Sequence, residues 1–450
     1  MRIAVIGGVA AGTSAAAKAR REDKEAEIVL FEKDENISYA GCGLPYYISG
    51  VIDSREKVEI NTPQEFERKY GVRVKTNHEV MEIDKENKRL IYRNLNLQQK
   101  NIEEYKYDKL IITTGASPVI PPIPGIDLKN IVNLRTLADA EVIKNKMNNK
   151  NINRISIVGA GLVGLEMAEA FKKLDKEVTV IEKLSRVLPQ FGANTADIVE
   201  KHLRENEINL ILNEGVKKFK GNNEVNYVIT EKDKKIESDL VLISTGIKPN
   251  VELARGARIE IGDTGAVKVN KKMETSEPDI YAAGDCVQSK NLITGKPEWV
   301  PLGSTANKQG RVAGENAAGG NNVHRGILKT TITKIFDLTV GRTGLSENEA
   351  ETEGFNPIVT KIEAADHAGY YPDVTKLYLE GVFDRETKRI LGVEIVGKAG
   401  VDKRIDVLST AIYGKLTSHD LFEIDLGYAP PYSTPKDPVA VLGMVAEKSL

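Results

Sequence analysis

The sequence has only two cysteines, Cys42 and Cys286, among its 450 residues. A disulfide framework is therefore not available, and a reducing compartment such as the cytoplasm is expected. A basic excess is also missing, because 63 Lys and Arg against 65 Asp and Glu give a net charge of −2. That balance argues against nucleic acid or an anionic membrane surface as the main partner. No apolar run approaches the roughly 20 residues that cross a membrane.

The chain has an ordinary globular composition, 41% hydrophobic and 28% charged, and its length suggests about three domains at roughly 150 residues each. Residues 2–33 and 154–183 repeat one pattern: a β-branched strand, a glycine turn, an Ala-rich helix, a second strand and Glu-Lys. Each copy is a βαβ unit and predicts a doubly wound α/β domain with a parallel sheet. The N-terminus also resembles a signal peptide, but the second copy of the pattern favours a buried strand at residues 3–6.

The second copy carries a complete GxGxxG motif, made of Gly159, Gly161 and Gly164. Such glycines permit a tight turn and close backbone approach, and the helix that follows favours a pyrophosphate at its N-terminus. Glu182 ends the next strand, where a carboxylate can accept from a ribose 2′-hydroxyl and so favours NADH over NADPH. Lys183 and Arg186 lie close by and leave NADPH open. The alternative is a glycine turn that only packs the helix.

The first copy is less regular, since Val9 replaces the middle glycine between Gly7 and Gly12. Glu32 supports a dinucleotide site here as well, because it ends the following strand at the ribose position. Two such sites suggest a flavin and a nicotinamide. A later strand ends in Gly284 and Asp285, and the Asp285 carboxylate is predicted to bond the flavin ribityl hydroxyls.

Cys42 lies between two glycines and shortly before Pro45, which suits the first turn of a helix. A thiol at a helix N-terminus is expected to favour its thiolate form. Tyr47 stands where a Cys-x4-Cys pair would have its second thiol, so an internal dithiol cycle of that type is excluded. Cys286 is expected to be a small buried residue.

The chain resembles the single-cysteine branch of the FAD-dependent pyridine nucleotide-disulfide oxidoreductases, and most closely the coenzyme A-disulfide reductases. The resemblance rests on the motifs GGVAAG, SYAGCGLPYYISG, ITTGASP, VGAGLVGLE, STGIKPN, YAAGDC, ANKQGR, HAGYYP, KRIDVLS and DLGYAPPYSTPKDP. It implies an FAD domain (1–117 and 249–322), an NAD(P)H domain (118–248) and an α+β dimerisation domain (325–450). It also implies a homodimer whose active site takes residues from both chains.

Carried over to this sequence, the resemblance makes Cys42 a nucleophile that alternates between a thiolate and a mixed disulfide with coenzyme A. Tyr428 and either Tyr370 or Tyr371 correspond to a tyrosine pair from the partner subunit. The implied cofactor-binding residues are Gly7, Gly12, Glu32, Lys33, Thr114, Gly115, Gly159, Gly161, Gly164, Glu182, Gly246, Gly284 and Asp285. The implied coenzyme-lining residues are Ser14, Lys18, Arg21, Ser38, Gly41 and Lys436, with Gly41 replacing the asparagine usual in the family. No metal is expected.

The sequence does not decide which electron acceptor the protein reduces. Related NADH peroxidases and water-forming NADH oxidases place a histidine in the first glycine loop, whereas this chain has Val9, Ala10 and Ala11 there. That difference favours a good leaving group, such as a coenzyme A thiolate or a persulfide or polysulfide sulfur. The alternatives are an NADH oxidase that reduces oxygen through a Cys42 sulfenic acid, and a flavoprotein redox sensor without catalysis.

Overall fold

The first sequence repeat forms the centre of a five-stranded parallel sheet in the computed structural model, which describes residues 1–97 and 101–449. The strands lie in the order Ile280–Ala282, Lys109–Ile112, Arg2–Ile6, Glu27–Phe31 and Arg73–Lys75. The helices of this first domain are Ala10–Glu22, Pro63–Tyr70, Glu252–Gly256 and Gly303–Ala317. The N-terminal residues therefore form the predicted strand, at the centre of a sheet.

The second repeat forms another five-stranded parallel sheet, in the order Asn209–Ile211, Glu177–Ile181, Arg154–Val158, Leu240–Ile243 and Ile131–Asn133. Its helices are Leu137–Met147, Leu162–Lys172 and Ala193–Glu205. Each of the two domains also carries a three-stranded antiparallel sheet. These strands are His78–Asp84, Arg89–Asn94 and Ile102–Lys106 in the first domain, and Val216–Lys220, Tyr227–Thr230 and Lys235–Glu237 in the second.

A short antiparallel ribbon marks the two places where the chain passes between the first and second domains. Its strands are Ala116–Pro118 and Ile247–Pro249. Smaller elements in the first domain are the strands Ser289–Lys290 and Pro297–Glu298, the 3-10 turns Gly41–Gly43 and Arg55–Lys57, and the helix Leu44–Ile48.

The C-terminal domain is an antiparallel sheet covered by helices. Its strand order is Thr331–Ile335, Leu338–Gly344, Ile390–Gly397, Lys376–Asp384 and Pro357–Ala365. Its helices are Glu347–Thr352, Val401–Tyr413, Ser418–Glu423 and Pro438–Glu447. The predicted fold class, two doubly wound α/β domains followed by an α+β domain, is confirmed. Among the described residues, no helix has the length and apolar character needed to cross a membrane.

The helix Leu44–Ile48, which follows Cys42, packs into the core of the second domain. Leu44, Tyr47 and Ile48 belong to one buried apolar cluster with residues of the helices Leu137–Met147 and Leu162–Lys172. The Tyr47 hydroxyl donates to Glu141 Oε1 at 2.7 Å, and Lys144 Nζ donates to the Tyr47 carbonyl at 2.7 Å. The position of the thiol therefore depends on packing between the first and second domains.

Two helices of the first domain, Ala10–Glu22 and Gly303–Ala317, touch through small residues. A Cβ added at Gly310 would lie 2.2 Å from the carbonyl oxygen of Ala11, and one added at Gly314 would lie 2.1 Å from that of Ala15. The atoms in the way are backbone atoms, so the helices would have to separate to accept a larger residue. This contact fixes the helix that begins directly after the first glycine loop.

We expect Gly310→Ala to destabilise the protein by about 1–3 kcal/mol, because overpacking forces a backbone shift. Thermal unfolding of the purified protein measures the change. Gly303→Ala is the matched control on the same helix, since a Cβ there meets no atom of the described chain within 4 Å. Equal melting temperatures for the two variants would contradict the close contact.

Candidate active site

The two glycine loops have the same backbone geometry. Gly7 has φ +99° and Gly159 has φ +109°, and a Cβ at either would lie 2.2 Å from a carbonyl oxygen of a neighbouring strand end. A Cβ at Gly12 or Gly164 would likewise collide with the carbonyl of its own loop's first glycine. These four glycines are required by the fold itself.

Gly161 differs from those four because the fold does not require it. Its φ of −78° and ψ of −175° suit any residue, and a Cβ there would meet no atom of the described chain within 4 Å. The glycine leaves open space at the start of the helix Leu162–Lys172, which is the space that a pyrophosphate needs. The loop therefore fits a dinucleotide.

Glu32 and Glu182 hold the two loops in the same way. Glu32 accepts from the backbone N–H groups of Gly8 at 2.7 Å and Asp34 at 2.9 Å. Glu182 accepts from those of Ala160 and Leu184, both at 2.8 Å. Each carboxylate oxygen thus carries one backbone bond and keeps lone pairs for a ribose hydroxyl. Burial raises the pKa of Glu32 above its ordinary value.

Glu182 already stabilises the loop through its backbone bonds. The choice between a ribose 2′-hydroxyl and a 2′-phosphate therefore also depends on the exposed side chains that follow Glu182. Lys183, Leu184 and Arg186 are all exposed beside the strand end. Two of the three are cations, which suit a phosphate. The geometry is therefore compatible with NADPH as well as NADH.

We expect Gly161→Ala to leave the melting temperature unchanged while raising the KM for NADH at least tenfold, because the added methyl group occupies space that only the cofactor uses. Gly164→Ala is the comparison within the same loop, and it should lower the melting temperature because its Cβ meets the Gly159 carbonyl at 2.2 Å. An unchanged KM for Gly161→Ala would remove the dinucleotide from this loop.

Cys42 lies in the one-turn segment Gly41–Gly43, and the helix that follows has only five residues. Its side chain is exposed, whereas Cys286 is fully buried as expected. Partial burial of the thiol raises the pKa of Cys42, the charges of Glu166 and Asp285 add to the rise, and Arg135 opposes it. The expectation of a thiolate favoured by the helix N-terminus is therefore wrong for the polypeptide alone. Such a short helix contributes little dipole, whereas burial, with two carboxylates adding to it, disfavours the thiolate.

Arg135 was not predicted from the sequence, yet it connects the second domain to the first beside Cys42. It donates to Asp285 Oδ2 at 2.8 Å and to the Ala116 carbonyl at 3.0 Å. The Trp299 indole N–H donates to the backbone carbonyl of Asp285 at 2.7 Å and fixes the same residue from the other side. Arg135 belongs to no recognisable motif, and its partner lies 150 positions away, so only the fold reveals this contact.

Glu166, the second residue missed, faces the thiol from the helix of the second glycine loop. It accepts from Thr333 Oγ1 at 2.8 Å, which ties this helix to the first strand of the C-terminal domain. Burial raises the pKa of Glu166, and the nearby charge of Glu169 adds to that rise. Three domains thus contribute to the surroundings of Cys42.

We expect Glu166→Gln to lower the pKa of Cys42, because a negative charge that disfavours the thiolate is removed. The pH dependence of iodoacetamide alkylation of the flavin-free protein measures this change, and the buried Cys286 does not interfere. Glu169→Gln is the control, since Glu169 accepts from the Phe336 N–H and pairs with Lys173 instead. A midpoint that is unchanged or higher in Glu166→Gln would contradict the assignment.

The remaining cofactor candidates lie at the ends of parallel strands. Thr114 and Gly115 follow the strand Lys109–Ile112, and the Thr114 hydroxyl donates to the Asn250 carbonyl at 2.7 Å. Gly246 follows the strand Leu240–Ile243 with φ +99°. The Gly284 N–H donates to Gln309 Oε1 at 2.9 Å. Lys33 is exposed and makes no contact that would fix its ammonium group among the described residues.

Three candidates for the coenzyme site lie on the helix Ala10–Glu22. The Ser14 hydroxyl donates to the Ala10 carbonyl at 2.6 Å and accepts from Asn307 at 2.8 Å, and Arg21 is exposed. Lys18, also on this helix, is held in two ion pairs. Its ammonium pairs with Glu22 at 3.1 Å and Glu315 at 2.9 Å, and the hydrogen bond to Glu315 is the main cause of its raised pKa.

Of the other three candidates, Ser38 is held at φ +51° and its hydroxyl accepts from Asn61 at 3.0 Å. Gly41 is exposed, and a Cβ there would meet no atom of the described chain within 4 Å. Lys436 is exposed in the C-terminal domain.

The two hydroxyls of the tyrosine pair meet within one chain. Tyr370 and Tyr428 have their hydroxyl oxygens 3.0 Å apart, and their side chains are 76% and 47% exposed. The hydrogen bond to Tyr370 raises the pKa of Tyr428. Tyr371 instead packs edge-on against the ring of His367, with centroids 5.6 Å apart. The geometry therefore pairs Tyr370, and not Tyr371, with Tyr428.

Known proteins match this chain along its whole length. Residues 1–310 match the model of the pyridine nucleotide-disulphide oxidoreductases, and residues 330–438 match the dimerisation domain of the same family. A CoA-dependent NAD(P)H sulfur oxidoreductase of Pyrococcus abyssi is 41% identical over 98% of this chain and 97% of its own length. An NADH oxidase of Methanocaldococcus jannaschii is 35% identical over 100% of this chain and 99% of its own.

A solved structure agrees with the sequence matches. The NAD-dependent persulfide reductase of A. fulgidus superposes with a TM-score of 0.96 at 38% identity, covering 100% of this chain and 83% of that one. Together with the paired glycine loops and the single exposed thiol, these matches show that the chain belongs to the pyridine nucleotide-disulphide oxidoreductases, as an FAD-dependent enzyme that uses NADH or NADPH.

Proposed function

We propose that this enzyme uses NAD(P)H to reduce a disulfide or persulfide of coenzyme A through Cys42. The observation that carries the proposal is the single exposed thiol held by packing between two dinucleotide-binding domains, with the other cysteine fully buried. A lone accessible thiol completes a redox cycle by bonding to an external sulfur. The CoA-dependent relative and the persulfide reductase support sulfur as the acceptor.

The cofactor sites follow from the two loops. Gly7, Gly12 and Glu32 would shape the FAD site in the first domain, and the Asp285 carboxylate would bond the ribityl chain. Gly161 and Glu182 shape the nicotinamide dinucleotide site in the second domain. Bound FAD supplies a relay for two electrons from the nicotinamide to sulfur.

Cys42 does the covalent chemistry. Its thiolate attacks one sulfur of the disulfide, so that a Cys42–sulfur bond forms while the substrate's sulfur–sulfur bond breaks and one thiolate departs with a proton. Two electrons from NAD(P)H then cleave the mixed disulfide, which releases the second thiol and regenerates the Cys42 thiolate. One disulfide, one NADH and one proton thus give two thiols and NAD⁺. Burial raises the pKa of Cys42 in the polypeptide alone, and we propose that groups bound at the site stabilise the thiolate.

Tyr370 and Tyr428 are the proposed proton donors to the departing thiolate, acting on Cys42 of the partner subunit. Their exposure in one chain agrees with a surface that a second copy covers, and Tyr371 and Tyr432, 43% and 69% exposed, extend the same aromatic surface. Exposed aromatic side chains in such number are typical of an interface. The dimerisation-domain match places this surface on a domain that pairs subunits in the family.

For the coenzyme, we propose binding along the helix Ala10–Glu22 by Ser14, Arg21 and Ser38, with Gly41 leaving room at the thiol. Lys436 would reach it from the partner subunit. Lys18 contributes only if a phosphate displaces Glu22 or Glu315 from its ammonium group. The Lys18 side chain is 19% exposed, so a phosphate can reach its ammonium group and compete with the two carboxylates.

We assign the domains as 1–117 and 249–322 for FAD, 118–248 for NAD(P)H and 325–450 for dimerisation. The ribbon of Ala116–Pro118 and Ile247–Pro249 supports the two inner boundaries. The cytoplasm is the proposed compartment, because nicotinamide and coenzyme A pools occur there and both cysteines are free.

Oxygen is the second candidate acceptor. The exposed position of Cys42 admits small oxidants, and the Methanocaldococcus relative is named an NADH oxidase. Oxidation of Cys42 to a sulfenic acid and its reduction by NADH would be the corresponding cycle.

We expect Cys42→Ser to retain FAD and its reduction by NADH while NADH consumption driven by coenzyme A disulfide falls to background, because the attacking sulfur is gone. Cys286→Ala is the matched control and should keep the parent rate. Anaerobic steady-state assays with and without the disulfide make the measurement. Disulfide-dependent turnover in Cys42→Ser would remove Cys42 from the mechanism, and aerobic rates of the parent that do not respond to disulfide would favour the oxidase.

A further inference from the structure

Arg404 carries a charge in the interior of the C-terminal domain. It lies on the helix Val401–Tyr413 and its side chain is 0% exposed. Its guanidinium donates to both oxygens of Asp437, at 3.1 Å from Nε and 2.9 Å from Nη2. It also donates to the backbone carbonyls of Asp366 at 2.8 Å and Gly400 at 2.9 Å. A planar guanidinium fork can hold a carboxylate at two points and reach carbonyls of other chain segments, a geometry that the single point of an ammonium group does not reproduce.

The partners of Arg404 lie at the bases of two loops. The Tyr370 loop, residues 366–375, is closed by Asp366, whose carboxylate accepts from the Thr375 N–H at 2.9 Å and the Thr375 hydroxyl at 2.8 Å. The Tyr428 loop, residues 425–437, ends at Asp437, which accepts from the Ser433 hydroxyl at 2.6 Å. Arg404 thus holds the base of each loop against the same helix.

Asp437 also fixes the start of the last helix. Its Oδ1 accepts from the Val439 N–H at 2.9 Å. Burial acts against ionisation of Asp437, but the hydrogen bonds from Ser433 and Val439 and the charge of Arg404 hold its pKa below the ordinary value. Asp437 therefore accepts from three chain positions at once, Arg404, Ser433 and Val439.

The two loops also meet through exposed side chains. Tyr370 and Tyr428 are 58 positions apart in sequence and join only through their hydroxyl oxygens at 3.0 Å. A hydrogen bond between exposed hydroxyls adds little stability because water competes for both partners. The loop bases must therefore determine where the hydroxyls lie. One backbone bond, from the Ala368 N–H to the Pro430 carbonyl at 3.2 Å, continues the connection toward the tips.

We propose that Arg404 is a positioning residue that brings the Tyr370 and Tyr428 hydroxyls together by holding the bases of both loops. The inference rests on the proposed function, in which this pair protonates the departing thiolate. Arg404 itself does not touch the substrate or the reacting sulfur. Its effect is transmitted through Asp366 and Asp437. Loss of Arg404 should therefore slow the same reaction step as loss of a tyrosine hydroxyl.

The test compares Arg404→Met with Tyr370→Phe and with the double variant in the FAD-loaded dimer. We expect Arg404→Met to lower kcat with coenzyme A disulfide at least tenfold, with an unchanged KM for NADH and an unchanged rate of flavin reduction in a single turnover. The double variant should be no slower than the slower single variant. Arg342→Met is the matched control: Arg342 is also buried in this domain and pairs with Glu349 at 3.0 Å, but it holds neither loop, so its kcat should stay near that of the parent.

Arg404→Lys is the second variant if Arg404→Met does not fold. The lysine keeps a positive charge beside Asp437 but does not reproduce the fork that bridges both loops. The kcat of Arg404→Lys should therefore also be low. The proposal is overturned if kcat in these variants matches Arg342→Met, or if the losses from Arg404 and Tyr370 multiply in the double variant. If the parent itself shows no disulfide-dependent turnover, the proposed function has failed instead. A crystal structure of Arg404→Lys then decides the inference alone: separated Tyr370 and Tyr428 hydroxyls support it, and hydroxyls still in contact overturn it.

Discussion

The site depends on the packing of one short helix between domains. Leu44–Ile48 is too short to be stable in water, and it persists because Leu44, Tyr47 and Ile48 are buried against two helices of the second domain. The same apolar cluster includes Ile335 and Leu338 from the C-terminal domain. The position of the Cys42 sulfur is therefore set by tertiary packing and not by local propensity. A thiol held in this way faces a fixed electrostatic environment contributed by distant residues.

That environment disfavours the thiolate in the polypeptide alone. Glu166 and Asp285 both raise the pKa of Cys42, and only Arg135 among the charges that act on it lowers the pKa. Arg135 is itself engaged by Asp285 at 2.8 Å. Any bound group that draws Arg135 or Asp285 toward itself would change the balance at the sulfur. The charge balance at the sulfur thus depends on Arg135 and Asp285, two side chains from different domains that bond each other.

The sequence predicted the fold well because its signals were local and repeated. Strand, glycine turn, helix and terminal Glu lie within about 30 residues in each copy, and the backbone of Gly7 and Gly159 permits few alternatives. The same reasoning did not detect Arg135 or Glu166, whose partners come from other domains, and it gave the wrong direction for the pKa of Cys42. Nor did it detect the pairing of Lys18 with Glu315, which requires two helices that meet only in the folded domain. Long-range electrostatics is not encoded in a local pattern.

The most direct test of the account is the intact mass of the protein purified under air without added thiol. We predict an increase equal to one disulfide-linked coenzyme A, located on the peptide that contains Cys42, and its quantitative removal by one equivalent of NADH under anaerobic conditions. A protein whose Cys42 remains unmodified after exposure to coenzyme A disulfide, or whose adduct NADH cannot remove, would contradict the account.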